Sequence, residues 1–173
     1  VFKIYSNIGN IHRNLGNFNE AIDFCKTGLE IAKKNRYKDG ESLALARLGA
    51  IFHQKKQLKK AITYYRQALD VNKELKNRRS IASNHCAIGN IYLDLKRYSA
   101  SRKHLERALE IGKKAKLKET IQQSYEILAE LFSAQGNYKS ALHYYKKWVE
   151  TENQLINQET ETKIAEIITK YET

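Results

Sequence analysis

The side chains that could do chemistry in this chain of 173 residues include five His, two Cys and nineteen Asp and Glu. Their spacing decides what that chemistry can be. His12, His53, His85, His104 and His143 are scattered, and no HExxH, CxxC or GxSxG motif and no phosphate-cradling Gly loop accompanies them. Pairs of Glu could be imagined as an acid and a base, but nothing in the pattern orients them. The expectation is that the chain is not an enzyme, with no catalytic residue, metal, cofactor or small-molecule substrate. Cys25 and Cys86 are too far apart along the chain's repeat pattern for a disulfide and read as two buried free thiols. Reduced thiols favour the cytoplasm without fixing the compartment.

What recurs is positive charge. Lys33, Lys73 and Lys113 are spaced by 40 residues, as are Arg36, Lys76 and Lys116, and Lys38, Arg78 and Lys118. These nine form a basic ladder, expected at the end of each second helix and in the loop that follows. There the helix dipole favours a cation by about 0.3 to 1 kcal/mol each, so the ladder has a structural explanation beside a functional one. An acidic protein, lipid head groups or nucleic acid could bind such an edge, nucleic acid being the lesser alternative. The net charge of +12 is uneven: residues 149 to 173 hold six Glu against Lys163 and Lys170, a net of −4, leaving +16 on residues 1 to 148.

The elements that must position these groups are helices. The chain has no Pro and eight Gly and is rich in Ala, Leu, Ile, Lys and Glu, a composition that favours an all-α fold. No apolar run approaches the roughly 20 residues that span a bilayer. The sequence also lacks Met and begins inside a repeat, so a segment of a longer protein is expected. A shift of 40 residues aligns Ile8-Gly9, Leu48-Gly49, Ile88-Gly89 and Leu128-Ala129, with Phe18, Leu58, Tyr98 and Tyr138 ten places after each apolar member. It also stacks Ala21, Ala61, Ser101 and Ala141, then Cys25, Tyr65, Leu105 and Tyr145, then Gly28, Ala68, Ala108 and Trp148. Gly within a helix costs about 1 kcal/mol relative to Ala, so Gly9, Gly49 and Gly89 imply close approach by a second helix. The small residue twelve places later supplies the facing surface, and the larger one four beyond it fills the gap. Each repeat is therefore a helical hairpin, the first with helices at Phe2 to Leu15 and Phe18 to Lys34 around a Gly16-Asn17 turn. Asn17 and Asn137 suit that turn as caps, Gln57 and Arg97 less well.

Leu or Ile, Gly, an aromatic three later and small residues twelve and nineteen after the Gly resemble the tetratricopeptide repeat, over about residues 2 to 150. The 40-residue period resembles the longer variant in kinesin light chains, spindle-orientation adaptors and bacterial Rap-type regulators. The resemblance implies a right-handed α-α superhelix of four hairpins, with repeats at about 1–37, 38–77, 78–117 and 118–150. Residues 151–173 would form a C-terminal helical extension or connector, with the last helix running from Tyr138 towards Tyr171. Ile164, Ile167, Ile168 and Tyr171 have helical spacing there, similar to the connector that follows such arrays in bacterial sensor kinases. Departures are His12 for an aromatic, Ser101 for Ala, Ala129 for Gly and Trp148 for Ala. His12 is expected in the core.

In that family the first helix of each hairpin lines a concave groove that receives an extended peptide or partner helix. The matching positions here are Lys3, Ser6, Asn7, Asn10, Arg13 and Asn14, then Arg47, His53 and Gln54, then Ser83, Asn90 and Asp94, and finally Gln123, Glu126 and Glu130. A carboxamide donates and accepts at once, so Asn7, Asn10 and Asn90 could hold a peptide backbone whatever its side chains. Arg13, Arg47 and Lys3 could hold a carboxylate. A complete carboxylate clamp is not reproduced, since Ala50 stands where Asn would. The expected function is a scaffold for a protein or peptide partner, an acidic one fitting best. The alternative is an input domain of a bacterial signalling protein, and self-association through the C-terminal helix is a further option.

Overall fold

A computed structural model describes residues 2–153. It is built from α1 (Phe2–Asn14), α2 (Phe18–Lys34), α3 (Lys38–Gln54), α4 (Leu58–Glu74), α5 (Arg78–Asp94), α6 (Tyr98–Lys114) and α7 (Lys118–Ala134). An eighth helix, α8, occupies residues 138 to 153. Among the described residues there is no strand, and no helix is long and apolar enough to cross a membrane. The expected run of the last helix to Tyr171, and self-association through it, fall largely on residues outside those described.

One kind of junction is used throughout. Gly16, Arg36, Lys56, Lys76, Lys96, Lys116 and Gly136, spaced by 20 residues, all have φ between 52° and 79°. The amide after each donates back five residues, as in Asn17 to His12 O at 2.9 Å and Tyr37 to Ala32 O at 2.8 Å. Such a left-handed residue closes the orphan carbonyls of a finished helix. The turn expected at Gly16-Asn17 is thus repeated between hairpins as well as within them. Asn137 caps as expected, accepting from the Ser140 amide at 3.1 Å, and Asn77 does the same for Ser80. Asn17 makes no side-chain cap, which corrects its expected role.

The small residues do what their recurrence demanded. A Cβ on Gly9 would stand 2.7 Å from Cys25 Sγ, one on Gly49 2.8 Å from the Tyr65 ring, and one on Gly89 2.7 Å from Leu105 Cγ. Ala21, Ala61 and Ser101 face them, each fully buried. Ser101 in place of Ala is explained by its hydroxyl, which donates to Gly89 O at 2.7 Å. Hairpins then stack. One core joins Cys25, Leu48, Ile51, Tyr65, Ile88 and Ile91 across the first three hairpins, and a second joins Leu105, Leu128 and Leu131 across the last two. The fold is a right-handed superhelix of hairpins, in which hydrophobic faces too large for one hairpin are covered by neighbours.

The fourth hairpin departs from the expected filling. Ala129 occupies the Gly position, and Tyr145 is not packed in the gap but 54 % exposed, lying against Trp148 with ring centroids 5.3 Å apart. Tyr138, aligned with the half-buried Phe18, is also exposed. His12 is half-buried rather than fully enclosed; it stacks on Phe24 at 5.2 Å. Cys25 and Cys86 are buried free thiols. Burial pushes Cys86 up to about 11, far from the reactive thiolate range.

Candidate binding groove and basic edge

α1 packs on α3 and α5 on α7, α3 meets α5 through His53 and Asp94, and among the described residues α2, α4 and α6 make no comparable contact with one another. The stack therefore closes on the α1, α3, α5, α7 side, which is the concave one. Along α1, positions 3, 7, 10 and 14 share one helical stripe, and the 40-residue period repeats it on α3, α5 and α7. Lys3, Asn7, Asn14, Gln54, Ser83, Asp94, Gln123, Glu126 and Glu130 are exposed. Asn10, Arg13, Arg47, His53 and Asn90 are half-buried, and Ser6 is buried.

Neighbouring helices are laced together across this surface. The Arg47 guanidinium donates to both the carbonyl and the hydroxyl of Ser6, so it ties α3 to α1. Burial, reinforced by the Arg13 charge, pushes Arg47 below its ordinary value. Arg13 donates to Asn14 Oδ1 at 3.1 Å, while its Nε is buried without an acceptor. His53 Nε2 is 2.8 Å from Asp94 Oδ2, and Lys56 Nζ is 3.8 Å from the same oxygen. Burial, then the nearby Glu126 and Asp94 charges, raise Glu130 above the usual carboxylate range. Asn7, Asn10 and Asn90 have no side-chain hydrogen bond to any described residue. One stripe residue passed over by the sequence reading is Leu43, which is 44 % exposed and could have been found by adding 40 to Lys3.

At the end of the groove, α7 and α8 enclose a hollow of 470 Å³ lined chiefly by Glu126, Ala129, Glu130, Leu142, Tyr145 and Trp148. This hollow is the counterpart of the gap that Leu105 fills in the preceding hairpin. A second unanticipated feature is a histidine pair: His85 and His104 meet with Nδ1 atoms 3.0 Å apart. The signal was available, because antiparallel pairing of Gly89 with Ser101 brings 85 opposite 104.

The basic ladder does not lie wholly where it was expected. Lys33, Lys73 and Lys113 are in the last turns of α2, α4 and α6. Arg36, Lys76 and Lys116 are the left-handed junction residues. Lys38, Arg78 and Lys118, however, open α3, α5 and α7, at the positive end of the dipole. The structural explanation thus fails for these three. Lys38 is compensated by Glu41 and Glu74, each 3.4 Å away, and Lys73 by Asp70 at 3.1 Å. Among the described residues Lys33, Arg36, Lys76, Arg78 and Lys116 have no ion pair.

A stack of helical hairpins with a concave stripe of polar residues is the architecture of an α-solenoid binding protein. The tetratricopeptide repeat family matches residues 1–74 and 80–150, and this chain belongs to it. No match is found among curated protein sequences. Solved structures agree on the fold. The apo form of RapI is 21 % identical, with a TM-score of 0.82 over 94 % of this chain and 59 % of its own. A Rap protein complexed with competence and sporulation factor is 14 % identical, at 0.80 over 87 % and 42 %. The signal-transduction ATPase PH0952 from Pyrococcus horikoshii, with a tetratricopeptide repeat sensor, is 20 % identical, at 0.79 over 92 % and 25 %. This chain spans less than two thirds of the length of each.

Proposed function

We propose that this chain is a protein-interaction module whose groove receives an extended peptide or a partner helix, with the basic edge drawing in acidic partners. One observation carries the reading: Asn7, Asn10 and Asn90, on the stripe of the first helices, make no side-chain hydrogen bond to any described residue. Polar groups left unpaired on a concave surface are available to a backbone that runs across them, and carboxamides serve either polarity. The complex of a Rap protein of the same fold with competence and sporulation factor supports a ligand-binding role.

The test is selection of peptides from a display library on the immobilised chain, followed by affinity measurement on the Asn7→Ala, Asn10→Ala, Asn90→Ala triple variant. At about 0.5 to 1.5 kcal/mol per hydrogen bond, the triple change should weaken selected peptides by about tenfold or more. Unchanged affinity in a variant of unchanged helicity would sink the proposal. Arg47 is left out because its bonds to Ser6 make Arg47→Ala a change in stacking as well as in binding. A second reading is a sensory input domain, supported by the sensor repeats of the Pyrococcus horikoshii ATPase. It requires that bound peptide alter hydrogen exchange in α8, at the far end from α1; exchange confined to the contacted helices would exclude it.

A further inference from the structure

The charges of the groove are segregated along its length. α1 contains no acidic residue, and the charged side chains on the stripe of α1 and α3 are Lys3, Arg13, Arg47 and the titratable His53, with Asp39 beside Leu43 at the start of α3. Those of α5 and α7 are Asp94, Glu126 and Glu130, while Arg79, near Ser83, is paired with Glu119 at 3.8 Å. The halves meet where Asp94 is approached by His53 at 2.8 Å and by Lys56 at 3.8 Å, contacts that occupy its carboxylate at the seam and leave the two ends charged. At the cationic end the Arg13 Nε is buried without an acceptor. At the anionic end the 470 Å³ hollow sets Glu126 and Glu130 beside Leu142, Tyr145 and Trp148, with no cation in its lining.

We infer that the groove selects a segment that is itself bipolar, with acidic side chains lying on α1 and α3 and a basic residue beside a large apolar one entering the α7–α8 hollow. The inference rests on the groove reading above and specifies the partner's chemistry. A carboxylate at the first end finds the donors of Arg13 and Lys3. A Lys or Arg at the other end finds two carboxylates whose mutual repulsion it relieves, while its apolar neighbour covers Leu142 and the exposed face of Tyr145. A uniformly acidic segment would be repelled by Glu126 and Glu130, and a uniformly basic one by Arg13 and Arg47. Four stacked first helices at about 10 Å per step span about 30 Å, which takes about nine residues of extended chain.

Trp148 is the sole Trp in the chain and lines the hollow, so its emission reports directly on occupancy. The probes are acetylated, amidated peptides: two with acidic and basic-aromatic halves segregated, one in each chain direction, one of the same composition with charges alternated, and one wholly acidic. At least one segregated peptide should shift the Trp148 emission and bind at least tenfold more tightly than the alternated one. In the Glu126→Lys, Glu130→Lys variant the preference should invert towards the wholly acidic peptide. Equal binding of segregated and alternated peptides, or no inversion, overturns the inference while leaving the groove reading intact. If the triple Asn variant leaves every peptide unaffected, the groove reading itself fails. Absence of binding by all four overturns the bipolar specificity.

Discussion

At the scale of single residues, Gly89 and Gly40 separate two uses of the same amino acid. A Cβ on Gly89 meets Leu105 Cγ at 2.7 Å and Ser101 O at 3.4 Å, and Leu105 is fully buried. Overpacking there costs about 1 to 3 kcal/mol, against about 1 kcal/mol gained in helix propensity. Gly89→Ala should therefore lower stability, by about 1 kcal/mol, in a denaturant titration. A Cβ on Gly40 runs into the ring of Tyr37 and approaches the buried Phe2 at 3.2 Å, two rings that pack edge to face. Gly40→Ala should therefore lower stability through loss of that ring contact, worth about 0.5 to 1.5 kcal/mol, offset in part by helix propensity. The histidine pair sets the pH response. Burial, then the charges of His104, Arg107 and Lys73, push His85 down to about 4, and burial, then Arg66 and Lys103, lower His104. Both bind protons more readily unfolded, so their contribution is complete above about pH 6.5 and lost as pH falls towards 4. The melting temperature should fall between pH 6.5 and 4.5, and His85→Gln should flatten that fall; a profile identical to the parent's would show that the pair is not responsible.

At the scale of elements, the 20-residue unit of helix plus left-handed junction explains why all four registers run without insertion. It also divides the basic ladder by cause. Lys33, Lys73 and Lys113 end helices and need no function to explain them, whereas Arg78 opens α5 without an ion pair among the described residues. Replacing it by an acidic residue complements the dipole, so Arg78→Glu should raise stability by about 0.3 to 1 kcal/mol. The same change should weaken association with an acidic protein, with a shallower dependence on salt. A loss of stability on thermal melting would mean that Arg78 is a structural residue after all.

At the scale of the whole molecule, each hairpin depends on the neighbours that cover it, and stability is close to a sum of local stacking terms. Leu128, fully buried in the second core, lies between hairpins three and four. Leu128→Ala should cost about 2 to 5 kcal/mol and speed hydrogen exchange in α5 to α8 well before α1 to α4. Uniform acceleration across all eight helices would show that the stack opens as one unit.

The helical hairpins, their 40-residue spacing and the Gly9, Gly49 and Gly89 contacts were legible in the sequence because each depends on local periodicity or on pairing within one hairpin. The stripe of Lys3, Asn7 and Asn10 was legible for the same reason, once a concave side was assumed. What periodicity could not decide is where unlike repeats meet. Arg47 looked like a carboxylate binder until stacking placed it against Ser6, and His53 and Asp94 became partners only when α3 and α5 came together. The hollow beside Trp148 is lined by Ala129, a departure visible in the sequence, and by Tyr145, whose outward turn is a packing outcome that the repeat pattern did not signal. Spacing determines which face a residue occupies; only the relative placement of helices decides which charges neutralise each other and which are left for a partner.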